Sequence, residues 1–274
     1  MSAHEQLAFL GGGNMARALL QGLLRNGWPP ARLRVGEPQA ATRAALTAEL
    51  GVSATADNLE AIRGAQLVVL AVKPQAASAV LVPLAGALRA SGAALLSIAA
   101  GLRVPGLARA CPGVPVLRAM PNRAALVGMG ATGLYAPAGL PEAVRTLAAR
   151  VLAASGSTVW VPHEADLDVV TALSGSGPAY FFLLAEQMAA AATALGLDAT
   201  TAERLALETL RGAGALASAS GSLAAERAAV TSPGGTTEAA LACLAQGGFA
   251  ALVARALGAA TRRGGELADS FEAG

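Results

Sequence analysis

Short apolar runs alternate with amphipathic stretches over the first 160 residues, and that alternation stops at Pro162. Gln6–Leu10, Leu33–Val35, Leu67–Val72, Ala94–Ile98, Val114–Ala119 and Val159–Val161 read as strands. Between them Asn14–Arg25, Ala40–Leu50, Gln75–Leu88, Val104–Ala110 and Glu142–Ala154 read as helices. Strand and helix alternating at this spacing predict an α/β domain whose doubly wound parallel sheet carries helices on both faces. Beyond Pro162 the strand signal is gone. Ala165–Leu173, Ala179–Leu195, Thr200–Ala219 and Thr237–Gly258 carry helix-period apolar positions instead. The predicted division is residues 1–162 and an all-helical 163–274. The helical part has apolar faces wider than about 110 residues can hide internally, which predicts burial against a second copy. No internal repeat is read, and the tail Asp269–Gly274 is expected to fray.

Composition removes several functions. Net charge is +2 with basic residues scattered, so neither nucleic acid nor an anionic membrane is the expected partner. Aromatics are only 3% of a chain that is 54% hydrophobic, so the core must be Ala, Leu and Val in closely packed helices. Cys111 and Cys243 lie outside any metal-type spacing, as suits buried free thiols in a reducing cytosol. His4 and His163 are the only histidines, which leaves no His-based metal site and no Ser-His-Asp triad. Met1–Leu10 lacks the pattern of a secretory leader, and Glu186 and Gln187 interrupt the longest apolar stretch, Tyr180–Leu197. The expectation is a soluble cytoplasmic protein with no metal.

Gly11-Gly12-Gly13-Asn14-Met15-Ala16 follows the first strand and opens the first helix as G-x-G-x-x-A. Gly11 permits the tight turn, Gly13 lets backbone approach a pyrophosphate, and Ala16 allows close helix–strand packing, which together predict a dinucleotide. Glu37 ends the second strand, 21 residues beyond Ala16. It is either the acceptor for the adenosine ribose hydroxyls of NAD or a solvated carboxylate before Pro38; on charge it favours NADH over NADPH unless Arg43 compensates. Ala71-Val72-Lys73-Pro74, Ser97–Gly101 (with Ala99 and Ala100) and Met120-Pro121-Asn122 end three further strands, where ligands bind in such sheets. Each could be a plain strand terminus; three on one edge make a cleft.

In the helical part, Ser232-Pro233-Gly234-Gly235-Thr236-Thr237 leads into apolar helical positions. With no Cβ at Gly234 or Gly235, several N–H groups can converge at a helix N-terminus on one anion, and two hydroxyls can reach an atom beside it. That suits a small carboxylate bearing a nearby nitrogen; an ordinary helix cap is the alternative. Ser174–Tyr180 is a second Gly-Ser turn, with Gly175 and Ser176 before a helix that Pro178 would open.

F-L-G-G-G-N-M-A, A-V-K-P, S-I-A-A-G, R-A-M-P-N, T-A-L-S-G-S-G-P-A-Y and V-T-S-P-G-G-T-T, in this order and over nearly the whole chain, resemble the Δ1-pyrroline-5-carboxylate reductase family. The resemblance implies a dinucleotide-binding Rossmann domain (1–162) and an all-helical dimerisation and substrate-binding domain (163–274). It also implies homodimers or rings of dimers, a small-molecule substrate, and NADPH or NADH as reductant. On it, Gly11–Ala16 hold the pyrophosphate, and Asn58 contacts the adenosine side. Ala71, Val72, Lys73, Pro74, Ala99, Ala100 and Asn122 line the dinucleotide. Ser232, Gly234, Gly235, Thr236 and Thr237 grip the substrate with Gly175 and Ser176 nearby, and Thr237 is the catalytic contact to the ring nitrogen. Three departures stand out: Arg123 where the family usually has Thr, Ala228 where it often has Asp, and Glu37 where it commonly has a small polar residue. A 3-hydroxyacid dehydrogenase is excluded, because its acid/base lysine would come from the helical part and Lys73 is the only lysine. A six-membered imino acid would use the same residues, and a non-catalytic dinucleotide-binding protein remains the alternative from another class.

Overall fold

The computed structural model describes residues 5–272; His4 and the first residues of the segment read for a leader lie outside them. In order the chain forms β1 (Leu7–Leu10), α1 (Asn14–Arg25), β2 (Leu33–Gly36), α2 (Ala40–Leu50), β3 (Ser53–Thr55), α3 (Asn58–Ile62), β4 (Leu67–Leu70), α4 (Ala77–Leu81), α5 (Ala85–Ser91), β5 (Ala94–Ser97), α6 (Val104–Ala110), β6 (Val116–Met120), β7 (Gly130–Tyr135), α7 (Glu142–Ala153) and β8 (Gly156–Trp160). These build one eight-stranded sheet in the order β3-β2-β1-β4-β5-β6-β7-β8, parallel except where β6 meets β7. The order reverses direction between β1 and β4, the switch point of a doubly wound sheet. Strands β1 and β4 are buried on both faces: Leu7 and Phe9 join one core with Leu19, Leu23 and Val151, while Ala8 and Leu10 join the other with Leu81 and Leu88. That is why L-A-F-L and L-V-V-L read as unbroken apolar runs.

The helices follow: α8 (Asp166–Val170), a π-helical turn at Thr171–Gly175, α9 (Gly177–Ala194), α10 (Ala199–Ser220), α11 (Leu223–Ala229), α12 (Thr236–Gln246) and α13 (Phe249–Glu272). Compactness divides the chain into 1–175 with 260–274, and 176–259. Leu167 and Ala172 are buried in the first unit, and Val170 lies so near Gly133 of β7 that a Cβ there would sit 2.8 Å from its side chain. Of the tail, Asp269–Glu272 belongs to this unit rather than fraying, and 273–274 lie outside the described residues. Asp269 pairs with Arg103 at 2.8 Å, and Phe271 lies against Gly101, whose φ is +78°.

Other expectations are corrected too. β7 and β3 were not foreseen, nor were α3 and α11. Gln75–Leu88 is not one helix: Pro83 lacks the N–H the interior of a helix needs, and 3-10 turns at Pro74–Ala76 and Val82–Leu84 flank α4. Thr237–Gly258 is two helices, broken at Gly247-Gly248, where Gly248 takes φ +74°. Pro178 occupies the second position of α9, not the first.

Within the second unit, α9 and α10 pack together, yet Phe181, Phe182, Leu183, Leu184, Leu205 and Leu207 remain exposed. By length and composition alone, the continuous helical run Asp166–Ala194 would suffice to cross a membrane, despite the interruption at Glu186-Gln187.

Candidate active site

The turn after β1 is built by its glycines. Gly11 has φ +98°, and its N–H donates to Gly36 O at 2.8 Å. A Cβ on it would lie 2.8 Å from Ala71 O and 3.1 Å from Val72 Cγ1, so the segments that follow β1 and β4 meet at this point. Gly12 lies under Leu46 of α2, where a Cβ would come within 2.7 Å of Cδ1. Gly13 caps α1, and a Cβ there would meet nothing within 4 Å; this is the open side of the turn. Ala16 is buried beneath it. The first turn of α1 has no acidic residue and no side-chain cap, so its leading N–H groups, which lack partners within the helix, are disposed towards an anion.

Glu37 is not a solvated carboxylate. It is 8% exposed, with Oε2 accepting from Gly12 N and Oε1 from Gln39 N, each at 2.9 Å. Arg43 donates through Nη1 to the carbonyls of Glu37 and Pro38 at 2.8 and 2.7 Å, so it braces this backbone rather than pairing with the carboxylate. Asn58, at the start of α3 behind the Asp57 cap, lays its Oδ1 directly over Gly36; a Cβ at Gly36 would collide with it. These contacts bring together the ends of β1, β2 and β4.

Lys73 is exposed and caps the 3-10 turn that Pro74 opens. Ala99 is buried and Ala100 exposed after β5. Asn122 is 8% exposed, and both ends of its amide are engaged: Nδ2 donates to Ser174 O at 2.9 Å, and Oδ1 accepts from Ala131 N at 3.1 Å. Its structural duty is to fasten the π-helical turn to β7. Asn14, Met15, Pro121, Asn122, Arg123, Leu126 and Gly175 enclose a cavity of about 220 Å³ beside the α1 N-terminus. A larger hollow of about 670 Å³ between α4 and α6 is lined, among the residues of the expected strand ends, by Pro74 and Gly101.

In the second unit, Ser232–Gly235 forms the expected turn and Gly235 caps α12. Gly234 has φ +68°, and its N–H is already taken by Glu238 Oε2 at 2.7 Å, while Gly235 N donates to Ser232 O at 3.0 Å. Two of the N–H groups expected to meet an anion are therefore in use, and those of Thr236 and Thr237 at the helix start remain. Glu238 was not foreseen. Its place three residues after the capping residue is the capping-box position, and that spacing could have shown it. Thr237 is half-buried, and Thr236 and Ser232 are exposed. Ser176, ahead of α9, makes no side-chain capping bond.

A switch-point glycine turn and a buried carboxylate ending β2 fit the class of dinucleotide-dependent oxidoreductases, and the helical part leaves apolar residues exposed. Residues 6–101 match the family described as NADP oxidoreductase, coenzyme F420-dependent, and residues 164–267 match pyrroline-5-carboxylate reductase dimerisation. A pyrroline-5-carboxylate reductase of Pseudomonas aeruginosa is 46% identical over 97% of this chain and 98% of its own. A solved pyrroline-5-carboxylate reductase of Coxiella burnetii superposes with TM-score 0.93 at 38% identity, covering 97% of this chain and 99% of that one. The Plasmodium falciparum enzyme, solved with NADP bound, gives 0.80 at 26% identity over 97% and 98%. The chain belongs to the pyrroline-5-carboxylate reductase family.

Proposed function

We propose that this chain reduces 1-pyrroline-5-carboxylate to L-proline, adding a hydride to the imine carbon and leaving the proton on the ring nitrogen. The observation that carries the reading is the presence, in one chain of this family, of a bare glycine turn at the sheet's switch point and a second bare turn opening α12. When bound, NADH or NADPH supplies the hydride. The chain's residues bind and orient. Gly11–Ala16 receive the pyrophosphate, the 71–74 and 99–100 segments border the dinucleotide, and the start of α12 takes the substrate carboxylate. A protonated imine is already electrophilic, so aligning the rings is the main task, and alignment alone can supply roughly 7–11 kcal/mol of barrier lowering.

On this reading Thr237 Oγ1 hydrogen-bonds the ring nitrogen as the amine forms. Thr237→Ala should lower kcat by about 10-fold or more, because a contact strengthened in the transition state is lost. Unchanged steady-state kinetics would remove Thr237 from the mechanism.

Glu37 supports NADH as the preferred reductant. Its carboxylate, held by Gly12 N and Gln39 N, has no cation paired with it among the described residues, and a 2′-phosphate placed beside it would be repelled. A steady-state assay of NADH and NADPH side by side, with five- and six-membered imino acids, tests reaction, preference and ring size at once. Dinucleotide oxidation independent of either imine would sink the proposal, and a higher kcat/KM with NADPH would sink the preference. The exposed apolar residues of α9 and α10 support a homodimer, with dimers joining into a ring, which light scattering reads as a mass. Cys111, whose thiol burial pushes up to about 11, and Cys243, which is exposed rather than buried as expected, are both free thiols and suit a cytoplasmic location.

A further inference from the structure

Resting on the dinucleotide-dependent reading above, we infer that Arg123 is a further binding residue, its guanidinium pairing with the dinucleotide's pyrophosphate beside the α1 N-terminus. Arg123 opens the 3-10 turn Arg123–Val127, which packs along α1, and it borders the cavity that Asn14 and Met15 also border. It is the one charged side chain among the residues lining that cavity. Among the described residues its guanidinium has no hydrogen-bond or ion-pair partner, whereas the neighbouring Asn122 amide is spent on Ser174 O and Ala131 N. Arg123, a cation with no partner among the described residues, therefore borders a cavity next to a helix start that has neither an acidic residue nor a side-chain cap.

A helix N-terminus offers about half a positive charge, and a pyrophosphate carries two negative ones. A planar guanidinium, able to donate two parallel hydrogen bonds to phosphate oxygens, supplies what the backbone cannot. The substrate carboxylate is the competing anion, and the test separates the two.

The measurement is equilibrium binding of NADH, followed by its fluorescence with no imine present, so that it stands even if the proposed reaction fails. ADP-ribose, which keeps the pyrophosphate and lacks nicotinamide, is titrated in competition. Arg123→Thr should raise both dissociation constants about 5- to 10-fold at low salt, with Arg123→Lys between, and the gap should shrink as salt screens an exposed charge. Arg123 is exposed, so the melting temperature should not move. Dissociation constants within twofold of wild type for both ligands would overturn the assignment. So would unchanged ADP-ribose binding together with a raised KM for the imino acid, since that result gives Arg123 to the substrate.

Discussion

Gly11→Ala should weaken NADH binding by roughly 30-fold, about 2 kcal/mol, and lower the melting temperature as well. Two independent effects act at this one methyl group. An alanine at φ +98° sits in a region that costs of order 1–3 kcal/mol for a residue with a Cβ. The methyl would also lie 2.8 Å from Ala71 O, a backbone atom that has no rotamer to retreat into. Ala71 N in turn donates to Leu10 O at 2.8 Å, so β1 and β4 are already tied together where the methyl must enter. Relief requires the turn to lift away from β4, which carries the N–H groups of the α1 start out of register with the phosphates. Gly13→Ala is the control: its Cβ would meet nothing within 4 Å, so any loss there reports on the ligand's space rather than on the fold. A Gly11→Ala protein that melts early but binds NADH as wild type would show the turn to be a structural device only.

The sequence exposed those parts of the fold whose causes are local. β1, β4, α1, α2 and α6 lie where apolar continuity or helix period puts them, because each strand is buried on both faces or each helix on one. β7 was hidden for a non-local reason. G-A-T-G-L-Y looks like a loop, yet its glycines are there to admit neighbours: Val170 leaves no room for a Cβ at Gly133, and Ala125 and the Ser155 carbonyl leave none at Gly130. Only the packed structure reveals that need. The dinucleotide turn was legible because its function requires a fixed spacing of small residues. Its buried partner was legible in position but not in state, since nothing in the order of residues says that Glu37 turns inward to Gly12. Glu238 repeats that arrangement in the second unit, holding Gly234 N. Each bare turn thus has one N–H engaged by a glutamate of its own unit, which fixes its shape and narrows the donors left for a ligand.

Arg118→Leu should destabilise the protein by about 2–3 kcal/mol, below the ~3–5 kcal/mol for one partner of a fully buried ion pair, because the Glu164 side chain stays 19% exposed. Arg118 is 6% exposed, in β6 facing α8, and donates through Nη1 to Glu164 Oε1 at 2.7 Å. The same oxygen accepts from Val104 N at 2.6 Å, at the start of α6, so one carboxylate joins the sheet, α6 and the approach to α8. Asp168 shares the neighbourhood. Burial holds its carboxyl above the usual range, against the opposing pull of Arg118 and then Arg103, with Asp269 and Glu164 adding to the rise. Removing the guanidinium leaves the carboxylates of Glu164 and Asp168 without their nearest cation and pushes Asp168 further up. A raised carboxyl favours the folded state fully below its unfolded pKa, and that contribution fades as pH rises through the folded pKa. The deficit of Arg118→Leu against wild type should therefore be largest near neutral pH and shrink on acidification towards the ordinary carboxylate range. Urea unfolding across that range measures it, and adding Glu164→Gln to Arg118→Leu should recover part of the loss, because the unpaired charge goes with it. A deficit that is constant with pH, with no recovery in the double variant, would mean that Arg118 contributes through burial of its aliphatic stem, and that the charge network is incidental to holding the strand ends in place.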